Sequence, residues 1–228
     1  MMEGMASIDV RVAETLETLR RGSSAKVLAD MGPRYGIRTA RAFGVPMGQM
    51  KQIARQIGTD HHLAVALWDT EWYEARVVAS LIDDPAAVTA DQMESWCASF
   101  DNWAICDTVC FNLFDRTAHA WAKVDEWAGS PAEYVKRTAF ALLWSLALHD
   151  RDAPDTRFSH GLSLIEREAH DDRNFVTKSL SMALRAIAHH GPALADSTTE
   201  VAQRLVQSDS QPARAVGARF LREQSRSR

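Results

Sequence analysis

Apolar residues recur at helical spacing in one short segment after another along this chain, and this periodicity decides the fold class. No run of four or more β-branched residues with alternating polarity is bounded by hairpin dipeptides such as Asn-Gly or Asp-Gly. The sequence therefore predicts an all-α protein. Helices are expected near residues 8–21, 24–31, 46–57, 60–69, 71–83, 89–99, 102–113, 117–128, 131–149, 155–169, 173–190, 195–207 and 211–223.

Capping signals mark the predicted helix ends. Thr89 is placed to cap a helix that contains Met93. The segment from Ser130 to Glu133 has the form of a capping box with a proline at the first helical position, and Ser210 precedes the last helix. Helices are expected to stop at Gly22, Gly58, Gly129 and Gly191-Pro192.

Length and composition indicate one folded domain over residues 1–228. The chain has 228 residues, of which 46% are hydrophobic and 25% charged, so it is able to bury a substantial core. The most apolar run, residues 139–148, is too short to cross a bilayer. Residues 1–11 lack the pattern of a secretory signal, so we expect a cytoplasmic protein with no membrane partner.

The cysteines and histidines do not suggest a metal site. Cys97, Cys106 and Cys110 are an odd set, and the last two lie four residues apart in an apolar pattern, as expected of reduced core thiols. The sequence contains no HxxxH, HExxH or CxxC spacing. We therefore expect no metal ligand.

The net charge of −4 argues weakly against a nucleic-acid partner, because DNA-binding domains are often basic. The charge is unevenly spread. Asp83-Asp84 and Asp171-Asp172 are predicted to be acidic turns between helices. The C-terminal end is basic, with Arg214, Arg219, Arg222, Arg226 and Arg228.

An internal repeat indicates a HEAT-like solenoid of stacked helix pairs. Its markers open successive helices at spacings of 31, 31, 41 and 38 residues, and they are Trp72, Trp103, Tyr134, Phe175 and Ala213. Basic residues follow several of these markers, so we expect one face of the inner helices to be basic and concave. Helical solenoids more often serve as protein scaffolds than as enzymes, and both interpretations remain open at this point.

Five sequence fragments in order over roughly 150 residues resemble the bacterial DNA alkylation repair enzymes, which are AlkD-like HEAT-repeat alkylpurine DNA glycosylases. The fragments are Arg34-Tyr35 with Phe43-Gly-Val-Pro-Met47, Leu67-Trp68 with Tyr73-Glu74-Ala-Arg76, Asn102-Trp103-Ala-Ile-Cys-Asp107-Thr-Val, Lys136-Arg137-Thr-Ala139, and Asn174-Phe175-Val-Thr-Lys178 with Ala183-Leu184-Arg185. The resemblance implies a single-domain glycosylase that acts on double-stranded DNA with alkylated bases and uses no metal or organic cofactor. We expect it to be a monomer.

The resemblance also implies a catalytic set of Asp107, Trp103 and Arg137. An N3- or N7-alkylated purine is already cationic, so its departure leaves positive charge on the deoxyribose. Asp107 would stabilise that charge and orient a water molecule, and Trp103 would present its indole face to the sugar. Arg137 would hold Asp107 and a phosphate. From the residues alone, Trp103 would be interpreted as a core aromatic, and Asp107 as a solvated edge residue or a structural partner of Arg137.

Further residues are expected to contact DNA: Tyr35, Arg76, Lys136, Lys178, Met182 and Arg185. Without the resemblance, the cations among them would be interpreted as solvated or ion-paired side chains. Met182 departs from the family, which has a second DNA-facing tryptophan at this position, and it offers no ring face to a cation. Two alternatives therefore stand beside the glycosylase: a non-catalytic HEAT-repeat protein that binds distorted or branched DNA, and a protein-interaction solenoid.

Overall fold

The computed structural model describes residues 7–226, which contain thirteen α-helices, one short 3-10 helix and no strand. The prediction of an all-α fold is confirmed. The helices are α1 (Ile8–Arg21), α2 (Ala25–Met31), α3 (Met47–Ile57), α4 (His61–Trp68), α5 (Tyr73–Ile82), α6 (Ala90–Ala98), α7 (Trp103–Asn112), the 3-10 helix (Phe114–Arg116), α8 (Ala120–Ala128), α9 (Glu133–His149), α10 (Asp155–Glu168), α11 (Asn174–Ala188), α12 (Pro192–Val206) and α13 (Gln211–Arg226).

The chain divides into two compact units. The first unit comprises Met1–Ser95 and Asp101–Thr117, and the second comprises Trp96–Phe100 and Ala118–Arg228. The expectation of one domain over residues 1–228 stays a prediction.

Helix α5 is the centre of the first unit and packs against α1, α3, α4 and α7. All of its residues from Tyr73 to Ser80 are buried, including the charged Glu74 and Arg76. Leu63 and Leu67 from α4 and Ile105 from α7 complete this core. The burial fixes the positions of α5 and α7 relative to each other.

The second unit is organised around the long neighbouring helices α9 and α11, with α8, α10, α12 and α13 packed around them. Residues 137–143 of α9 are buried without interruption. Helices α12 and α13 approach at backbone distance, because a Cβ atom on Gly217 would lie 2.5 Å from the carbonyl oxygen of Ala202. Side chains larger than hydrogen at position 217 would separate these helices.

The markers of the predicted repeat all fall at helix starts. Trp72 directly precedes α5 and Trp103 is the first residue of α7. Tyr134 and Phe175 are the second residues of α9 and α11, and Ala213 is the third residue of α13. The repeat markers therefore identify every second helix from α5 to α13.

Two of the predicted helix starts that differ from the structure lie beside prolines. The hydroxyls of Thr89 and Ser210 each accept a hydrogen bond from the backbone N–H three residues later in the chain, as expected of helix caps. The Ser130 capping box is wrong, since α9 begins at Glu133 and Ser130 accepts from the Ala132 N–H before the helix starts. Pro192 opens α12 instead of ending the preceding helix, because a proline at the first helical position loses no hydrogen bond.

Cys97, Cys106 and Cys110 are buried and form no disulfide, so the prediction of core thiols is confirmed. Within residues 7–226, no helix has the length and apolar character needed to span a membrane.

Candidate functional site

Helix α7 carries Trp103 and Asp107 one turn apart. Asn102 fixes the start of this helix, because its side-chain oxygen accepts hydrogen bonds from the N–H groups of Ala104 and Ile105 at 3.0 and 3.1 Å. Cys106, Val109 and Cys110 are buried. Trp103 and Asp107 are neighbours on one face of the helix, and both are half-buried.

The indole of Trp103 is fixed by a hydrogen bond that the sequence did not reveal. Its Nε1–H donates to the backbone carbonyl of Tyr35 at 2.9 Å. Tyr35 is 48% exposed, and the Arg34 guanidinium carbon lies 5.2 Å from the centroid of its ring. The first unit therefore brings together two of the predicted site residues, Tyr35 and Trp103, in a single contact.

Glu74 holds the other end of the Tyr35 segment, and it is a residue whose role the sequence analysis missed. Its carboxylate is fully buried and accepts hydrogen bonds from the N–H groups of residues 43, 44 and 45 at 2.9, 2.7 and 3.2 Å. Gly44 has a φ of +79°, and a Cβ there would lie 2.7 Å from the Leu28 Cβ. The fragments Phe43–Met47 and Tyr73–Arg76 are thus joined by Glu74, and a carboxylate at the start of an apolar helix was the available signal.

Arg76 lies inside the first unit. It is 9% exposed, and its guanidinium carbon lies 5.0 Å from the Trp68 ring centroid. A cation held over an indole inside the core contributes to packing. This placement favours a structural role over the predicted DNA contact.

In the second unit, one face of α11 carries Phe175, Lys178, Met182 and Arg185. Lys178 is exposed, with its Nζ 5.8 Å from the Phe175 ring centroid. Met182 is half-buried. Arg185 is also half-buried, with its Nη1 3.1 Å from the Glu223 carboxylate of α13. Phosphate would therefore have to compete with Glu223 for Arg185.

Arg137 is 2% exposed and belongs to an aromatic cluster of the second unit. Its Nη1 donates to the Phe175 carbonyl at 2.6 Å, and its guanidinium carbon lies 5.9 Å from that ring centroid. The Tyr134 ring lies 5.9 Å from the Phe175 ring. The predicted role of Arg137 in holding Asp107 stays a prediction.

Lys136 belongs to a buried ion cluster. It is 6% exposed, and its ammonium lies 2.7 Å from Glu168 and 3.2 Å from Asp171. Arg173 donates two hydrogen bonds to Asp171 and, for this reason above all, holds the pKa of that carboxyl well below its usual range. A lysine that neutralises two buried carboxylates has a structural role, which this placement favours over the predicted phosphate contact.

Part of the predicted basic C-terminal end is engaged within the protein. Arg214 donates to the carbonyls of Ser208 and Asp209 at 2.8 Å, and Arg219 pairs with Glu223 at 3.2 Å. Arg222 and Arg226 are exposed, whereas Arg228 lies outside the described residues. Among residues 7–226, no three His, Cys, Asp or Glu side chains are grouped so as to hold a metal ion.

Comparison with known proteins gives the family. A solved structure described as one of a new family of proteins related to the HEAT-like repeat DNA glycosylases with affinity for branched DNA structures superposes with a TM-score of 0.75. The match covers 93% of this chain and 94% of that one at 20% sequence identity, and it shows the HEAT-like fold. None of the curated protein sequences matches this chain. Residues 15–205 match the family model described as DNA alkylation repair enzyme. The chain therefore belongs to the DNA alkylation repair enzyme family.

Proposed function

We propose that this protein is a monofunctional DNA glycosylase that hydrolyses the N-glycosidic bond of cationic N3- or N7-alkylated purines in duplex DNA. The observation that carries the proposal is the pair Trp103 and Asp107 on adjacent turns of α7, with the Trp103 indole fixed to the Tyr35 carbonyl. Family membership supplies the context of alkylation repair. The reaction leaves an abasic site and a free alkylated base.

The chemistry requires little acid catalysis. Alkylation places a positive charge on the purine, so when the bond between C1′ and N9 breaks, its electron pair neutralises the departing base. The positive charge then develops on the deoxyribose. A water oxygen bonds to C1′ and releases its proton, and the Asp107 carboxylate is suited both to accept that proton and to stabilise the charged sugar.

Trp103 contributes a fixed aromatic face. Because its Nε1–H is engaged by Tyr35, the ring does not have to be ordered when DNA binds. An indole face beside a cationic sugar stabilises it by about 0.5–2 kcal/mol, depending on desolvation. The exposed Tyr35 ring provides a second aromatic surface next to the site.

Within the second unit, Lys178 and Arg185 are the predicted phosphate ligands that remain accessible in part. Contacts of this kind would make affinity fall steeply with salt. Met182 on the same face would pack against a ribose or base edge through its thioether. Arg76 and Lys136 act in this account through packing and ion pairs. The role that the resemblance implies for Arg137 is carried forward as a prediction. Monomeric state and cytoplasmic location are carried forward as predictions.

A second candidate is a protein of this family that binds branched DNA without excising a base. It is favoured by Met182, which stands where the family has a tryptophan, and by the described affinity of the structurally similar protein for branched DNA. This candidate keeps the phosphate contacts and removes the need for Asp107.

The test compares wild type, Asp107→Asn and the control Asp91→Asn, since Asp91 is an exposed carboxylate on α6. Each protein is incubated with methylated duplex DNA, and free 7-methylguanine and 3-methyladenine are measured. Binding to intact duplex and to a four-way junction is measured in parallel. We expect base release by wild type and Asp91→Asn only, with duplex binding by all three.

Binding of junctions without base release by any variant would instead support the second candidate. Failure of wild type to bind any DNA would contradict both and return the protein to the class of protein-interaction solenoids.

A further inference from the structure

We propose that residues 33–41, named here the arginine loop, form a preformed clamp for the phosphate backbone of duplex DNA beside the α7 site. The proposal rests on the proposed function insofar as both require DNA. It adds a binding element that carries Arg34, Arg38 and Arg41, and the sequence analysis predicted a DNA contact for none of these three residues. Three observations support it: a backbone held by hydrogen bonds, exposed cations with at most loose surface partners, and a position next to Trp103.

The first half of the arginine loop is folded back onto the end of α2. The N–H groups of Arg34 and Tyr35 donate to the Asp30 carbonyl at 3.0 and 3.3 Å. The N–H of Gly36 donates to Gly32 at 2.9 Å, and that of residue 37 donates to residue 31 at 2.8 Å. Gly36 has a φ of +66°, a backbone conformation that glycine adopts without strain, so the chain is able to turn tightly here.

The remainder of the loop is held by the body of the first unit. The Trp103 indole donates to the Tyr35 carbonyl at 2.9 Å, and the Tyr73 N–H donates to the Arg41 carbonyl at 2.9 Å. Directly after the loop, the Glu74 carboxylate holds residues 43–45. A loop fixed at its start, centre and end loses little conformational entropy when it binds a ligand.

The arginine loop carries three guanidinium groups and no carboxylate. The side chains of Arg34 and Arg41 are 64% and 54% exposed, and their nearest carboxylates, at 3.7 and 4.0 Å, form only loose surface pairs. Arg38 is exposed and has no hydrogen-bond or ion-pair partner among residues 7–226. The loop is therefore a site of local positive charge on a chain whose net charge is −4.

This arrangement suits a polyanion with regularly spaced charges. Guanidinium groups bind phosphate oxygens in a planar, bidentate manner. Three of them on one exposed loop provide more donors than one small anion binds, and they suit several phosphates in a row. Because Tyr35 links the loop to Trp103, phosphates bound by the loop would flank the nucleotide presented to Trp103 and Asp107. Duplex DNA around an alkylated base is the ligand with this chemistry.

The test measures the affinity of Arg38→Ala for an undamaged duplex oligonucleotide over a range of salt concentrations. Loss of one phosphate contact reduces the slope of log affinity against log salt by about 0.9, which corresponds to about eightfold weaker binding at 0.1 M salt if the contact contributes nothing at 1 M. Arg38→Lys retains the charge and should keep the slope. The control is Arg55→Ala, because Arg55 is exposed on the last turn of α3 and also lacks a partner among the described residues.

A reduced slope for Arg38→Ala alone, with thermal stability equal to that of the control, is the expected result. Equal slopes for Arg38→Ala and Arg55→Ala would overturn the proposal. Since undamaged duplex is used, failure here is distinguishable from failure of the glycosylase proposal, which concerns base release. Absence of any duplex binding by wild type would refute both.

Discussion

Replacing Glu74 with alanine should detach the segment at residues 43–45 from α5. The carboxylate is fully buried and accepts three backbone hydrogen bonds, of which the two from Gly44 and Val45 are in the buried interior. Each buried N–H left without an acceptor costs about 1–3 kcal/mol, and the bond to the partly exposed Phe43 N–H is replaced by water more cheaply. We expect the variant to lose about 3–5 kcal/mol of unfolding free energy.

Two further variants calibrate this loss. Glu74→Gln retains the oxygen that accepts from residues 44 and 45, but its amide group faces the Phe43 N–H, so a loss of about 1–2 kcal/mol is expected. Glu14→Ala removes an exposed carboxylate from α1 and should change stability by less than about 0.5 kcal/mol. The expected order of destabilisation is therefore Glu74→Ala, then Glu74→Gln, then Glu14→Ala.

The assay is urea denaturation followed by tryptophan fluorescence, combined with hydrogen exchange of peptides that cover residues 41–47. The melting temperature of Glu74→Ala should fall by roughly 10 °C, given about 2–4 °C per kcal/mol for a chain of this size. Exchange should accelerate at residues 43–45 before it does elsewhere. A loss within about 1 kcal/mol of that of Glu14→Ala, or unchanged exchange at these amides, would refute the reasoning.

Three other changes have distinct expected outcomes. Gly44→Ala should destabilise the protein by more than about 1 kcal/mol in urea denaturation, because a φ of +79° and a Cβ 2.7 Å from the Leu28 Cβ both disfavour alanine. Trp103→Phe removes the bond to the Tyr35 carbonyl, so limited proteolysis of the arginine loop should accelerate even where the fold is retained. The pKa of Asp171 is lowered, chiefly by Arg173, so its contribution to stability is present above the unfolded pKa of about 3.9 and is lost as the pH falls through the lowered folded value. Asp171→Asn should therefore lower stability at pH 7 and flatten its decline below pH 4 in urea denaturation.

Local rules predicted most of the helices. The markers at Trp72, Trp103, Tyr134 and Phe175 each fall within one residue of a helix start, because amphipathic periodicity and capping act over a few residues. The boundary errors at Pro131 and Pro192 arise because proline both opens and precedes helices, and only the packing of neighbouring helices decides between the two.

The partners of charged residues were not predictable in this way. Asp83 and Asp171 were expected in acidic turns and do lie between helices, yet both are buried. Asp83 is bonded to His61 and Gln92 at 2.7 Å, and burial raises its pKa despite these bonds. Such contacts join residues distant in sequence, so helical spacing alone predicts the face of a charged residue and leaves its burial undecided.

The same limit applies to the candidate site. The spacing of Trp103 and Asp107 correctly placed both on one side of α7, because residues four apart on a helix are neighbours. The bond from Trp103 to Tyr35 spans 68 residues of sequence and has no local signature. For Arg76 and Lys136, the pattern of basic residues on successive helices did not reveal that both side chains are buried.

The most direct test of the central claim is a single-turnover measurement of base release from a duplex oligonucleotide that contains one 7-methylguanine, with protein in excess. Wild type should release the base and leave an abasic strand. Asp107→Asn should bind the same duplex with unchanged affinity and release the base about 100-fold more slowly, the loss expected when a fixed group that stabilises transition-state charge is removed. Equal rates for the two proteins, or no release by wild type, would contradict the assignment of Asp107 as the catalytic carboxylate.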